Sequence, residues 1–323
     1  MEVTIHKIQQ HNAQINSFEL MSCNGEPLPS FKAGAHIDVH MSEGLIRQYS
    51  LANCSSEQHR YVIGVLNDPN SRGGSRYMHE QLQEGQRIQI SEPRNLFELD
   101  PELEHAILCA GGIGITPILA MAKELKRLNK SFKLFYFVKT RSALAFHEDL
   151  KLLGDSVHLH IDDEVVTHCN LPAALAQTDL AQHVYVCGPQ GFMDFVIQTA
   201  QQQSWPEAHI HKEHFSAPII DTSEDGGFSI KVQKTGQLIH VAQDQTAVQA
   251  LEAAGVNIPV SCEQGICGTC LVTVVEGEID HRDMYLTEEE QAAQDQFTPC
   301  CSRAKSKILV IDLLDSQMKC NRD

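Results

Sequence analysis

Four cysteines in the last third of the chain have the spacing of an iron–sulfur ligand set. Cys262, Cys267 and Cys270 follow the pattern C-x4-C-x2-C, and Cys300 lies further along the chain. This is the plant-type pattern for a [2Fe–2S] cluster. Four thiolates must converge on a very small cluster, so three come from one tight loop and the fourth from another part of the fold. The sequence therefore predicts these four cysteines as the metal ligands.

Two glycines inside the same run favour the cluster over its alternatives. Gly265 and Gly268 lack side chains, so the backbone there can approach the sulfides and direct its N–H groups at them. The alternatives are structural thiols or a zinc site, but zinc sites usually show two closely spaced cysteine pairs. The fourth ligand is Cys300 or the adjacent Cys301. Cys300 is favoured because it occupies the place of the last ligand in the ferredoxin pattern.

A glycine-rich turn at residues 111–117 lies between an apolar strand pattern and a helical pattern. A turn of this kind at a helix N-terminus binds a pyrophosphate through backbone N–H groups. Pro117 stands where the third glycine of the G-x-G-x-x-G fingerprint would fall, so the turn alone could equally be structural. A second turn begins at Cys187, after a later strand. Both turns would lie at the carboxyl edge of one parallel sheet, which predicts a nicotinamide dinucleotide site.

A second candidate site combines an arginine-containing strand at residues 47–51 with a Gly-Gly-Ser turn at residues 72–75. Arginine, hydroxyl and backbone N–H groups together can hold a phosphate. Tyr49 could pack against a flat ring, and Ser50 could hydrogen-bond to its polar edge. The alternative is a solvated arginine beside an ordinary hairpin turn. The candidate residues of this site are Arg47, Tyr49, Ser50, Arg72, Gly74 and Ser75.

Three histidines form the short pattern H-x-H-x2-H at His209, His211 and His214. Metal binding is one interpretation. Alternation along a strand that leaves the α/β region is favoured, because histidine is frequent throughout this chain.

Strand and helix patterns divide the chain into three blocks. Short alternating strands predict a small antiparallel β-barrel, and the strand–helix alternation that follows predicts an α/β domain with a parallel sheet. After a polar linker, a hairpin, a helix and the cysteine loop follow in the order of an α+β ferredoxin-like β-grasp module. The predicted domains are residues 1–102, 103–220 and 227–323.

Charge and cysteine content limit the class of protein. The chain has 323 residues and a formal net charge of −17, which disfavours nucleic acid and anionic membranes as partners. The acidic run from Glu276 to Asp295 is interpreted as a solvated face, with a docking surface as the alternative. Eleven cysteines, with neither a signal-peptide pattern nor an apolar run long enough to span a bilayer, predict a cytoplasmic protein in a reducing compartment.

These motifs, in this order, resemble the phthalate dioxygenase reductase family. The resemblance rests on the Arg-x-Tyr-Ser-Leu stretch, the Gly-Gly-x-Gly-Ile-Thr-Pro turn, the Cys-Gly-Pro turn and the four-cysteine pattern. It covers nearly the whole chain. It implies FMN in the barrel, NADH in the α/β domain and a [2Fe–2S] cluster in the last domain.

The family's flavin contacts transfer to matching positions. Arg47 and Ser75 would bind the flavin phosphate, Tyr49 would pack on the isoalloxazine, and Ser50 would face its N5. Phe215 resembles the aromatic residue that lies near the flavin after the nucleotide domain.

The dinucleotide contacts transfer in the same way. Gly112, Thr116 and Cys187 would line the site, with Cys187 close to the nicotinamide, so that Ser50 and Cys187 are the predicted catalytic residues. NADH is the preferred coenzyme. NADPH stays open, because Arg141 follows the second α/β strand and could meet a 2′-phosphate.

The resemblance implies a reductase that passes electrons from NADH to FMN, then to the cluster, and finally to a separate Rieske-type oxygenase. Residues 71–76 and 280–285 look most like those of carnitine monooxygenase reductases, and next like those of vanillate demethylase reductases. Three other functions stay open: a free flavin reductase, a ferredoxin-like binding module and a redox sensor.

Overall fold

The computed structural model describes residues 1–41, 45–69, 71, 73–176, 182–216 and 225–313. The chain divides into two compact units, Met1–His214 and Phe215–Asp323. Three of the predicted features lie outside the described residues: Arg72, the end of the α/β domain at residues 217–220, and the end of the last domain at residues 314–323.

The first unit begins with an antiparallel barrel of six strands and one short helix. The sheet order is β4-β3-β6-β1-β2-β5. The barrel closes because Leu51, directly after β4, pairs with Ile63 on β5, and the Ala52 N–H donates to the Val62 carbonyl at 2.8 Å. Its elements are β1 (Glu2–Gln10), β2 (Ile15–Ser22), β3 (His36–His40), β4 (Ile46–Ser50), β5 (Arg60–Leu66), α1 (Gly74–Glu80) and β6 (Arg87–Ile90).

A five-stranded parallel sheet completes the first unit. Its order is β11-β10-β7-β8-β9. Because β7 and β10 are neighbours, the turns that follow them meet at the carboxyl edge of the sheet. The elements are β7 (His105–Gly111), α2 (Ile115–Arg127), β8 (Ser131–Val138), α3 (His147–Leu153), β9 (Val157–Ile161), α4 (Leu171–Leu175), β10 (Gln182–Cys187), α5 (Gln190–Gln202) and β11 (Ile210–Glu213).

The turn between β1 and β2 attaches the barrel to the loop before α3. The His11 ring stacks on Phe146 with ring centroids 4.3 Å apart, and its Nδ1 accepts the Phe146 N–H at 3.1 Å. The His11 Nε2 therefore carries the proton and donates to the Ser17 hydroxyl at 2.9 Å. The Asn12 amide donates to the Ala143 carbonyl at 3.0 Å. These contacts hold the barrel and the parallel sheet in one unit.

The second unit contains a mixed sheet of order β13-β12-β18-β14-β16 and a two-stranded ribbon, β15-β17. A capping box begins α6, because Thr246 Oγ1 accepts the Gln249 N–H and the Gln249 side chain accepts the Thr246 N–H. Buried apolar residues of α6 pack against the sheet. The elements are β12 (Phe228–Val232), β13 (Leu238–Val241), α6 (Ala247–Ala253), β14 (Val272–Glu276), β15 (Ile279–Asp280), α7 (Glu288–Ala293), β16 (Gln296–Phe297), β17 (Arg303–Ala304) and β18 (Ile308–Asp312).

This architecture confirms the predicted fold class: an antiparallel barrel, a parallel α/β sheet and an α+β module of the ferredoxin kind. The three domain boundaries stay a prediction, since the chain separates into two compact units and not three. Among the described residues, no helix combines the length and the apolar character that crossing a bilayer requires.

Histidines form a stacked row across β10 and β11. His209 and His211 flank His183, with ring centroids 4.3 and 5.1 Å away, and His211 stacks on Tyr185 at 4.4 Å. His183 Nδ1 and His211 Nε2 share a hydrogen bond of 2.8 Å. His214 follows the end of β11 and takes no part in this row, and the described residues contain no group of three such side chains that could hold a metal ion. The strand interpretation holds for His211, while His209 ends the 3-10 turn that precedes β11.

This row predicts an acid-sensitive contribution to the stability of the first unit. Burial, with the neighbouring His183, lowers the pKa of His211 to about 4. A lowered pKa means that the folded state favours the neutral ring. Its stabilising contribution is complete above the ordinary pKa of 6.5 and is lost as the pH falls towards 4.

We expect His211→Phe, which keeps the ring stack but cannot titrate, to lose less stability in acid than the wild type. Because the ring is partly exposed, solvent screening reduces the effect of the full pKa shift, and between pH 7.5 and 5.5 the difference should be about 1 kcal/mol, or about 2–4 °C in Tm. Thermal unfolding followed by circular dichroism at both pH values measures it. Parallel losses of Tm in the two proteins would contradict the assignment.

Candidate redox centres

The turns after β7 and β10 touch through their backbones. A Cβ placed on Gly114 would lie 2.2 Å from the carbonyl oxygen of Cys187, so any side chain at residue 114 would push the two turns apart. Gly112 has φ +54° and nothing lies within 4 Å of its Cβ position, which leaves space beside the turn. The Thr116 hydroxyl donates to the Ile113 carbonyl at 3.1 Å and fixes the start of α2. The geometry fits a backbone cradle for a dinucleotide pyrophosphate.

The two predicted catalytic residues, Ser50 and Cys187, lie at this edge beside a glutamate that the sequence analysis missed, Glu213. Ser50 and Cys187 are buried, and the Ser50 hydroxyl donates to Oε2 of Glu213 at 3.2 Å. Burial raises the pKa of Glu213 to about 8. Burial, followed by the neighbouring Glu213 charge, raises the pKa of Cys187, so its thiol stays protonated. Ser50 comes from β4, Cys187 from β10 and Glu213 from β11.

His214, which the sequence analysis named only as part of the histidine pattern, directly follows Glu213. Both of its ring nitrogens are buried and have no hydrogen-bond partner in the described part of the chain. Orphaned buried polar atoms are rare in folded proteins. The only available signal was position, because Glu213 ends β11 and His214 follows it directly.

The proposed flavin-phosphate residues cluster at the start of α1. The stem of Arg47 lies against Gly74, where a Cβ would be 2.6 Å from Arg47 Cγ. The Ser75 hydroxyl accepts the Asp68 N–H at 3.2 Å. The Gly-Gly-Ser segment was expected to be a loop turn, and instead Gly74 begins a helix after Gly73 at φ +97°.

The two proposed aromatic contacts of the flavin lie in different units. Tyr49 is half-buried on β4, and burial raises the pKa of its phenol, so the ring stays neutral. Phe215 opens the second unit and is 38% exposed.

The cysteine loop of the second unit gathers its sulfurs as the spacing predicts. The Cys262 sulfur contacts the thiols of Cys267 and Cys300, and these two contacts lower the pKa of Cys262. Cys300 also contacts Cys270. The Gln264 N–H donates to Cys262 Sγ at 3.3 Å, which favours a thiolate, the form that binds iron.

Close packing around the loop explains its two glycines. Gly268 has φ +67°, and a Cβ there would lie 2.3 Å from the ring of Tyr285. Gly265 has φ +74°, and a Cβ there would lie 2.4 Å from the sulfur of Cys301. Neither position tolerates a side chain. Tyr285 itself is 36% exposed.

A buried carboxylate fixes the segment that carries the proposed fourth ligand. The Thr298 and Ser302 hydroxyls donate to Oδ1 of Asp283 at 3.2 and 3.3 Å, and the Leu286 N–H donates to Oδ2 at 2.8 Å. Thr298 and Ser302 bracket the pair Cys300–Cys301. The segment is therefore held in one position relative to the cysteine loop.

Cys300 stays our proposed fourth ligand. It is 7% exposed, and its sulfur contacts those of Cys262 and Cys270. The Cys301 sulfur has the Thr298 hydroxyl at 3.5 Å. Within the described ranges, no group of three or more histidine, cysteine or acidic side chains suits a single metal ion. Four cysteine sulfurs beside backbone N–H groups are the donor set that a [2Fe–2S] cluster requires.

We expect Cys300→Ser to lose most of the cluster's visible absorbance and iron, while Cys301→Ser keeps both. The reason is that the Cys300 sulfur contacts those of two other proposed ligands, Cys262 and Cys270. Iron content and the low-temperature EPR signal of the reduced proteins measure the difference. If Cys301→Ser lost iron and Cys300→Ser retained it, Cys301 would be the fourth ligand in place of Cys300.

We expect NADH-dependent ferricyanide reduction to show an ionisation near pH 8 that Glu213→Gln removes. The raised pKa means that Glu213 is protonated below about pH 8 and gains its charge above it. Initial rates from pH 6 to 10 provide the measurement. If the pH–rate profiles of the two proteins had the same shape, the ionisation would not belong to Glu213.

Comparison with known proteins supports both centres. Residues 230–305 match the family model described as a 2Fe-2S iron-sulfur cluster binding domain. The vanillate O-demethylase oxidoreductase of Acinetobacter baylyi is 54% identical, over 97% of this chain and 99% of its own.

Solved structures agree over the same length. Phthalate dioxygenase reductase, described as a modular structure for electron transfer from pyridine nucleotides to [2Fe-2S], is 37% identical with a TM-score of 0.76. It covers 97% of this chain and 98% of its own. A self-sufficient cytochrome P450 monooxygenase is 36% identical with a TM-score of 0.83, and the match spans 97% of this chain and 41% of that one.

These similarities confirm the predicted cofactors, which are FMN, NADH and one [2Fe–2S] cluster. The chain belongs to the phthalate dioxygenase reductase family of electron-transfer oxidoreductases.

Proposed function

We propose that this protein is the NADH-dependent reductase component of a two-component oxygenase, with a vanillate O-demethylase oxygenase carrying a Rieske centre as its partner. The observation that carries the proposal is the presence of both centres in one chain: the Ser50–Glu213–Cys187 edge and the converging cysteine loop. The first suits hydride transfer and the second suits one-electron transfer.

The bound groups supply the redox chemistry, in which a hydride from NADH reaches the flavin and single electrons leave through the cluster. The protein supplies position and environment. The turn around Gly112 and Thr116 binds the dinucleotide, while buried Ser50 and Cys187 exclude water from the reacting edge. Glu213 holds a proton at its carboxyl group near neutral pH, so it adds no negative charge at the edge where the hydride acceptor would gain electron density.

In the second unit, the buried network of Asp283 orients the cysteine-bearing segments. The Met284 N–H donates to the Gly265 carbonyl at 2.9 Å, which ties the cysteine loop to the same network. Because the ligands are held on several fixed segments, the site is organised before the partner arrives.

Charge favours a partner with a basic docking face. The chain carries a net charge of −17, and three consecutive glutamates, Glu288, Glu289 and Glu290, are exposed in the first turn of α7. Complementary charge accelerates encounter and makes it dependent on salt. We retain this acidic run as the proposed docking surface for the oxygenase.

The choice of partner differs from the preference that the sequence resemblance suggested. Carnitine monooxygenase was favoured there, with vanillate demethylase second. The 54% identity to a vanillate O-demethylase oxidoreductase over nearly the full length supports the second branch. We therefore place vanillate first.

We expect the purified protein with NADH to sustain demethylation of vanillate by a purified vanillate O-demethylase oxygenase. The rate should fall at least several-fold between low salt and 0.5 M NaCl, because exposed charges are screened. Product formation by chromatography measures coupling, and a carnitine monooxygenase oxygenase with carnitine is the control. Turnover of carnitine without turnover of vanillate would reverse the assignment. NADH oxidation that reduces free flavin but no protein acceptor would favour a free flavin reductase.

A further inference from the structure

Arg141 stands where a nucleotide-binding sheet of this kind reads the adenosine ribose. It follows β8, which neighbours β7, at the same carboxyl edge as the glycine turn. At this position in such folds, an arginine accommodates the 2′-phosphate of NADP, whereas an acidic residue favours the 2′-hydroxyl of NAD. Arg141 alone would therefore favour NADPH.

The carboxylate of Glu164 forms an ion pair with the guanidinium of that arginine. Arg141 Nε donates to Glu164 Oε1 at 2.8 Å, and a terminal NH2 group donates to Oε2 at 2.5 Å. Two parallel hydrogen bonds of this kind are the same geometry that a phosphate would use. The carboxylate therefore holds the place that a 2′-phosphate needs.

A fixed turn after β9 carries this glutamate. The Glu164 N–H donates to the Ile161 carbonyl at 2.9 Å, and its carbonyl accepts the Thr167 N–H at 2.8 Å and the Thr167 hydroxyl at 2.7 Å. The same hydroxyl accepts the Ile161 N–H at 2.9 Å. Because the backbone of Glu164 is held on both sides, its side chain begins at a fixed point within reach of Arg141.

We propose that Glu164 selects NADH over NADPH by occupying Arg141, an inference that rests on the proposed reductase function. A 2′-phosphate would have to displace a carboxylate from its arginine and then lie beside that negative charge. Asp163 adds a further negative charge on the same turn. A ribose 2′-hydroxyl carries no charge and leaves the ion pair intact.

The first test measures binding without turnover. Adenosine 2′,5′-bisphosphate and 5′-AMP are titrated calorimetrically into the FMN- and cluster-loaded protein. We expect Glu164→Gln to bind the bisphosphate about tenfold more tightly and to bind 5′-AMP as the wild type does. Glu148→Gln is the matched control, because Glu148 is an exposed glutamate that pairs with Lys151 and its loss changes the net charge equally.

The second test measures the ratio of kcat/KM for NADPH to that for NADH with ferricyanide as acceptor. The ratio should rise about tenfold in Glu164→Gln and stay unchanged in Glu148→Gln. Adding Arg141→Gln to Glu164→Gln should abolish the gain, since the phosphate would lose its partner.

A ratio within twofold of the wild type in Glu164→Gln would overturn the proposal. An equal gain in Glu148→Gln would do the same, because the effect would then be one of net charge. If the wild type failed to oxidise NADH, the proposed reductase function would be contradicted. The selectivity proposal would still be tested by calorimetry, which measures binding without turnover.

Discussion

Both centres of this protein depend on backbone coming into direct contact with other groups. At the sheet edge, Gly114 lets the turn after β7 reach the carbonyl of Cys187. In the cysteine loop, Gly268 lets the chain pass under the ring of Tyr285. A methyl group at Gly114 would push two backbone segments apart, and one at Gly268 would strain a left-handed backbone and displace the Tyr285 ring. The other features of each centre are arranged around these contacts.

Burial then determines the charge state of the groups around each centre. At the hydride-transfer edge, burial raises the pKa of Glu213 to about 8 and keeps the Cys187 thiol protonated, so the site is nearly neutral. In the second unit the polar groups are paired: Asp283 accepts hydrogen bonds from three donors, and Arg282 makes two hydrogen bonds to Asp225. The first arrangement accommodates reacting rings, and the second holds ligands in position.

Electrostatics also separates the two kinds of partner that this reductase meets. For the coenzyme, the decisive charges lie within one ion pair, Arg141 and Glu164, on two fixed turns. For the proposed oxygenase, the charges that would attract the partner are spread over the exposed acidic run, and they act over distances up to the Debye length of the solution. Under these two proposals, the coenzyme is selected by contact and the protein partner by the field of a whole surface.

Local spacing in the sequence predicted the fold class and three of the proposed cluster ligands, whereas FMN, NADH and the choice of Cys300 rested on resemblance to a known family and its ferredoxin pattern. Strand periodicity, the glycine turns and the C-x4-C-x2-C pattern are readable within a few residues of one another. The sequence missed Glu213, and it left Arg141 open between two coenzymes. Those roles depend on partners from distant segments: Glu213 meets Ser50 from the barrel, and Arg141 meets Glu164 beyond the next strand. Only the folded chain brings such residues together, since pairing across 23 or 163 positions leaves no local pattern.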